Sequence, residues 1–456
     1  MTAQRPPLSP DPRVLVTGMG IVSAIGHTVD AFAASLEEGR SGIRRLEPDL
    51  GSMPAAAIGA AIDGFDFEGL LGRRAATPEP LVKAAQRVAR RAPFTIQASV
   101  IAAIEAWHQA GLQLSGVAGE RIGLVVAGHN TTRRYQYSLG RDFERQPQYL
   151  SPKYALHHLD SDQIGVLSQI LGIKGEGMVA GGASASGNVG IIQGLRLLRL
   201  GLVDACLVVG VVADLSPMEW QAFHGIGALG GKAFADQPER ACRPFDRRHE
   251  GFIPGQAAAC LILESDESAR RRGADGLAEI LGGATALHAT AFTDPDVDGE
   301  VRAMRGALRD AGLEAAAIAY VNTHGTSSPK GDQVEMEALR AVFGQRFPDV
   351  WVNATKGLTG HCLYSAGVVE AIATIVQFRR GFIHPNLNLE DPIEPAARFS
   401  GAAAIRAPVR TALSNSFGFG GINTSIVLRA CARGRGSPTA CPIAPSASGR
   451  NRRSAS

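Results

Sequence analysis

A chain of 456 residues, 45% hydrophobic and 20% charged, is long enough for two or three domains or for one large fold made of two similar halves. The formal charge of +3 is set by the chain's end: Arg429 to Ser456 hold six arginines and no acid, which leaves −3 elsewhere and excludes a strongly basic nucleic-acid-binding body. No signal-like apolar run opens the chain, no stretch of about 18 uncharged apolar residues suggests a membrane span, and six scattered cysteines without a CxxC pair point away from metal sites and towards a reducing cytoplasm.

Residues 1–12 are expected to be disordered. Arg13 to Gly18 reads as a short buried strand entering a glycine turn. Helical apolar spacing follows near 29–38 and 96–111. Gly123 to Gly128 reads as a buried strand, and Gly177 to Ala180 as another, running into Gly181-Gly182-Ala183-Ser184-Ala185-Ser186-Gly187 and a helix over 188–199. Val203 to Val212 returns as a strand. A second series then repeats the theme: strands at 256–264, 277–284, 318–321 and 351–354, helices at 267–272, 301–311, 333–343 and 365–378, and closing strands at 411–416 and 424–428 around a glycine run. Short apolar strands alternating with amphipathic helices predict an α/β layered fold. The halves are expected to span 13–265 and 266–428, with a disordered basic tail over 429–456.

Four segments carry chemistry. Ser184 lies at a strand-to-helix turn, where free backbone N–H groups and the helix dipole suit a nucleophile or an oxyanion; a plain N-cap serine is the alternative. His324, in Asn322-Thr323-His324-Gly325-Thr326-Ser327-Ser328, and His361, in Lys356-Gly357-Leu358-Thr359-Gly360-His361, stand at matching strand ends. Two such imidazoles can move protons or hold an enolate oxygen. Asn415-Ser416-Phe417-Gly418-Phe419-Gly420-Gly421-Ile422-Asn423 is a glycine-rich segment able to approach a ligand closely.

These segments, in this order, resemble the β-ketoacyl-acyl-carrier-protein synthases of fatty-acid and polyketide assembly over roughly residues 13 to 428. The opening Val16 to Ser23 and the stretch Cys242-Arg243-Pro244-Phe245-Asp246 also match. The resemblance implies a thiolase-like five-layered α-β-α-β-α fold of two similar halves, usually a homodimer. It implies that His324 and His361 are the active-site histidines. Lys356 would support them, with Glu370 and Glu335 as acidic neighbours and Phe419 as gatekeeper. The Ser184 and Phe419 N–H groups would form the oxyanion hole, and Thr326, Ser328 and Gly420 would line the path of the pantetheine arm. The substrate would ride on the phosphopantetheine of an acyl carrier protein, with no cofactor and no metal belonging to the enzyme.

One departure matters most. The family's nucleophilic cysteine falls on Ser184, and a helix N-terminus that lowers a thiol's pKa cannot ionise a hydroxyl. Chain loading and condensation should fail, whereas decarboxylation of a malonyl thioester needs only two donors on the enolate oxygen. Gly255-Gln256-Ala257-Ala258, Ile422, the stretch His249 to Gln256, and His384 to Leu389 resemble the Cys-to-Ser decarboxylating ketosynthases of polyketide β-branching. In those cassettes malonyl carrier becomes acetyl carrier for a hydroxymethylglutaryl-CoA-synthase-like partner. The competing readings are acyl transfer through Ser184, a non-catalytic chain-length-factor-like partner, and a serine hydrolase. The last lacks the Gly-x-Ser-x-Gly elbow, because position 186 is serine.

Overall fold

The computed structural model describes residues 12–47, 57–73 and 78–431; the disorder expected for 1–11 and 432–456 lies outside the described residues. Among the described residues, eleven strands form one continuous sheet; apart from the short edge strand Arg398–Phe399 they fall into two five-stranded sheets of one design. In the first half, β1 (Val14–Ser23), β2 (Ile122–Ala127), β3 (Gly177–Ala180), β4 (Ala205–Gly210) and β5 (Ala257–Ser265) lie in the order β3-β2-β4-β5-β1. The pairs β3/β2 and β2/β4 are parallel, and β4/β5 and β5/β1 antiparallel. In the second half, β6 (Ala278–Leu287), β7 (Tyr320–Asn322), β8 (Trp351–Asn353), β9 (Thr411–Gly418) and β10 (Ile422–Ala430) take the order β8-β7-β9-β10-β6. Their pairing senses are the same: two parallel, then two antiparallel. The sheets join where Val14 to Val16 pairs antiparallel with Ala278 to Ile280.

Helices α1 (Phe94–Ala110) and α2 (Ser161–Leu171) cover the outer face of the first sheet, and α3 (Ser186–Arg199) its inner face. Helices α4 (Val297–Asp310) and α5 (Pro329–Phe343) cover the outer face of the second, with α6 (Ala366–Arg380) inside beside α3. Three apolar cores follow from this stacking: one outside each sheet, and a central one built on α3 and α6. This is the five-layered α-β-α-β-α arrangement of the thiolase fold. Sheets covered on both faces need continuous apolar runs, and β1, β2, β4 and β5 are buried along their whole length.

Two boundaries differ from the sequence expectation. The first strand does not turn at Gly18 but runs to Ser23. A Cβ on Gly18 would lie 2.1 Å from the Ala106 carbonyl oxygen, and one on Gly20 1.9 Å from that of Ala102. These glycines let the α1 backbone settle on the strand; they do not bend the chain. The last strand includes Arg429 and Ala430, which the sequence reading placed in the tail. Arg429 donates to Glu279 at 2.6 Å, and Arg13 donates to the same carboxylate at 3.0 Å, so a buried acid anchors both ends of the described body.

The two halves also repeat one turn. Ala183 and Leu363 each open a short 3₁₀ turn with φ of +48°, immediately before α3 and α6. The helices then touch through glycine: a Cβ on Gly187 would lie 2.7 Å from the Gly367 nitrogen. That contact brings the two helix entrances, and the residues on them, against each other.

Candidate active site

Ser184 sits in the turn between β3 and α3, half-buried, on the first of these entrances. His361 lies on the second, just before Leu363. Its Nδ1 accepts the Leu363 backbone N–H at 3.3 Å, so the ring proton resides on Nε2. Nε2–H donates to the Ser184 hydroxyl oxygen at 3.0 Å. This polarity is the reverse of a catalytic serine pair, in which the imidazole must accept. The family-like arrangement therefore gives Ser184 no base.

His324 follows β7 and packs edge-to-face on His361, with ring centroids 5.4 Å apart and planes at 83°. Its loop is held from behind. Glu335 of α5 accepts the His324 and Gly325 backbone N–H groups, each at 2.8 Å, and the Asn415 amide at 3.1 Å. Lys356 donates to the His324 carbonyl and forms an ion pair with Glu370 of α6. Glu370 is thus the lysine's acidic partner, as expected, whereas Glu335 serves the histidine loop and makes no hydrogen bond to Lys356 among the described residues. Burial pushes both carboxyls up to about 7, against their hydrogen bonds and the Lys356 charge. Burial also drives His324 and His361 well below the ordinary histidine value, assisted by the Lys356 ammonium. Both rings are neutral donors at physiological pH.

The glycine segment is the turn of the β9/β10 hairpin rather than a free loop. Phe417 pairs with Asn423 and Gly418 with Ile422, while Gly420 and Gly421 turn the chain with φ of +81° and +75°. A Cβ on Gly418 would lie 2.4 Å from the Gly182 carbonyl, so glycine is needed for the hairpin end to rest on the serine turn. Phe417 lies 5.5 Å from the His324 ring, and Phe419, 40% exposed, stands at the mouth. Among the described residues, the Ser184 and Phe419 backbone N–H groups donate to no protein acceptor.

Ser184, His324, His361, Thr326, Ser328 and Phe419 line one cavity of about 560 Å³. Thr326 and Ser328 share a hydrogen bond at 2.9 Å along its wall. Gly420 lies just outside the lining, its N–H donating to the Phe292 carbonyl. The sequence reading missed the aromatic wall: Phe252 meets His361 edge-on at 5.3 Å. It also missed His288 and Glu300, and it named Asn415 and Asn423 only as the ends of the glycine segment, without a role of their own. The signals for these were a phenylalanine beside Ile253 in a glycine-bounded stretch and single polar residues at strand and helix ends, none distinctive alone. Of the departures noted in the sequence, Gln256 donates to Asp214 at 3.2 Å, and His384 is buried with Asn353 and Thr355 behind the Lys356 segment. Burial holds His384 down at about 4.

Two further features bear on ligands. Among the described residues no cluster of three or more His, Cys, Asp or Glu could hold a metal, and no helix is long and apolar enough to cross a membrane.

Replacing Lys356 by methionine leaves Glu370 buried without its cation. The expected loss is about 3–5 kcal/mol of stability, read by urea unfolding; a change below about 1 kcal/mol would contradict the burial argument.

The comparisons agree with this geometry. The chain matches the model "Beta-ketoacyl synthase, N-terminal domain" over residues 11–269 and "Beta-ketoacyl synthase, C-terminal domain" over 277–390. It is 36% identical to the "Polyketide biosynthesis malonyl-ACP decarboxylase PksF" of Bacillus subtilis (strain 168), covering 92% of this chain and 96% of that one. It is 31% identical to "3-oxoacyl-[acyl-carrier-protein] synthase 2" of Vibrio cholerae, covering 91% and 99%. Among solved structures, "AntDE:AntF (apo): type II PKS acyl-carrier protein in complex with its ketosynthase bound to the hexaketide" superposes with a TM-score of 0.81 at 25% identity, covering 92% and 100%. A beta-ketoacyl synthase from Burkholderia phymatum STM815 gives 0.79 at 30%, with the same coverage. Sequence, topology and site together place the chain in the β-ketoacyl synthase family.

Proposed function

We propose that this protein removes carbon dioxide from malonyl-acyl carrier protein and releases acetyl-acyl carrier protein without elongating a chain, in polyketide assembly. The observation that carries this reading is the direction of one hydrogen bond. His361 donates to Ser184, so the serine has no base, and the same N–H, beside the neutral His324 ring, can pass from the serine to an arriving oxygen. As the C2–C3 bond of the malonyl group breaks, its electron pair passes towards the thioester oxygen. His324 and His361 stabilise the resulting enolate by hydrogen bonding, in a partly dehydrated site where such bonds are strong. The phosphopantetheine arm delivers the thioester past Thr326 and Ser328, so all the chemistry is done by protein groups. The name carried by the B. subtilis relative supports the same assignment.

Acyl transfer through Ser184 is disfavoured by the same hydrogen bond, and a non-catalytic partner would have no need of two histidines facing an open cavity. An acetyl carrier is the product a hydroxymethylglutaryl-CoA-synthase-like enzyme of a β-branching cassette would consume. The edge strand β3, with an unpaired outer side, suits pairing with a second copy in a homodimer.

Carrier protein loaded with carboxyl-labelled malonyl groups tests the reaction: label is released as carbon dioxide with acetyl carrier formed in equal amount. Retention of the label by a folded enzyme with its cognate carrier sinks the reading. A second prediction concerns protonation. Because both imidazoles are held neutral, their NMR resonances should stay in the neutral form as pH falls from about 7.5 to about 5.5, a range in which an unperturbed histidine ionises near 6.5. Titration of either ring near 6.5 would contradict the burial and charge argument.

A further inference from the structure

One carboxyl group on the wall of this cavity has no part in the mechanism above. Glu300 stands in the first turn of α4, is 1% exposed, and lines the cavity that holds Ser184, His324 and His361. Its Oε2 has no hydrogen-bond partner among the described residues, and no cation there lies within ion-pair distance of it. Buried polar groups are nearly always paired, so an orphan on a residue that lines a reaction cavity calls for a chemical reason.

The ionisable groups around Glu300 come from several elements. On its own helix is Asp296, whose carboxylate caps the Gly299 N–H. From α5 comes Glu335, already engaged with the His324 loop. After β6 comes His288, whose Nδ1 pairs with the Asn423 amide at 2.9 Å and whose Nε2 pairs with the Asp294 carbonyl at 3.1 Å. His324 shares the cavity wall. Burial, reinforced by the Glu335 and Asp296 charges, pushes the Glu300 carboxyl well above the carboxylate range and so favours its protonated form.

A condensing enzyme must deny the enolate a proton, because the carbanion is wanted for attack on an acyl group. A decarboxylase must supply one. Resting on the decarboxylase reading, we propose that Glu300 is the general acid that ends the reaction by protonating C2 of the enolate. The C2–C3 bond has broken and carbon dioxide has left with no electrons from that bond. The enolate's C=C pair takes the Glu300 proton, a C2–H bond forms, and the thioester carbonyl returns. Glu300 is left as a carboxylate and regains its proton from water entering by the cavity mouth. The histidines remain on the oxygen throughout and are poor proton sources, their neutral N–H groups being far weaker acids than a carboxyl.

Glu300→Gln keeps the shape and removes the acidic proton. Wild type and variant are compared in single turnovers on malonyl carrier protein, following acetyl carrier formation and exchange of labelled carbon dioxide into the malonyl carboxyl. Acetyl formation should fall by about 100-fold or more in the variant, while exchange persists because the enolate still forms and is recaptured. Acetyl formation by the wild type should decline as pH rises through the raised Glu300 pKa, and the variant should lack this limb. If E300Q does not fold, Glu300→Asp, which keeps an acid, should retain the limb with a reduced rate. Acetyl formation within about twofold of wild type, or equal loss of exchange and acetyl formation, would overturn the proposal and leave the decarboxylase reading standing. A wild type that forms no acetyl carrier would remove both.

Discussion

Replacing His324 or His361 by alanine should slow carbon dioxide loss from malonyl carrier protein by about 100- to 1000-fold in each case. The reason is geometric. The two rings stand edge-to-face with centroids 5.4 Å apart, both neutral, on the wall of the cavity where the proposed reaction puts the thioester oxygen. Each removes part of the charge that develops on that oxygen. The two losses should not multiply in the double variant, because both donors act on one atom and the second is less well placed once the first is gone. Single-turnover carbon dioxide release gives the rates, and thermal unfolding confirms that each variant is folded. Activity within about tenfold of wild type for both single variants would mean that other groups hold the oxygen.

Replacing Ser184 by cysteine should change the chemistry rather than the rate. The side chain would stand at the entrance of α3, beside a helix N-terminus and the Nε2–H of His361. Such surroundings lower a thiol's pKa from about 8.5 into a range of about 3.5–7.5 and make it a thiolate, which a hydroxyl cannot become there. Incubation with acyl carrier protein should load about one acyl group per chain on Ser184→Cys and none on the wild type, read by intact mass. The same variant should be alkylated by iodoacetamide at this position. The buried native cysteines should resist, since burial raises Cys206, Cys242 and Cys362 to about 12. Absence of acylation in the variant would mean that the cavity, and not the missing thiol, excludes acyl groups.

Much of this was legible in the sequence, for definable reasons. Strands buried on both faces are unbroken apolar runs, and β2, β4 and β5 were recognised to within two residues at each end. The candidate site residues carry short motifs at fixed strand ends, so Ser184, His324 and His361 could be named; the 3.0 Å approach of His361 to Ser184 follows from the repeated turn and the Gly187–Gly367 contact, and His324 packs on His361 from the end of β7. Other features left no local trace. The helix Arg133–Arg145 has no buried residue, and its one apolar line, Tyr135, Leu139 and Phe143, is set among charged and polar residues and was passed over. Gly18 and Gly20 read as a turn because the helix that demands them lies some 80 residues away. Glu335 was placed beside Lys356, but its hydrogen bonds run to the backbone of residues 324 and 325, which no spacing rule encodes. The direction of the His361–Ser184 hydrogen bond depends on the Leu363 N–H, a detail that only coordinates can supply.

Decarboxylation without condensation is the central proposal for this site, and one competition tests it most directly. Equal amounts of acetyl carrier protein and isotope-labelled malonyl carrier protein are offered to the purified enzyme, and the masses of the carriers and of the enzyme are followed together. Labelled acetyl carrier is the expected product, with no acetoacetyl carrier and no mass added to Ser184. Acetoacetyl carrier, or an acylated enzyme, would contradict it.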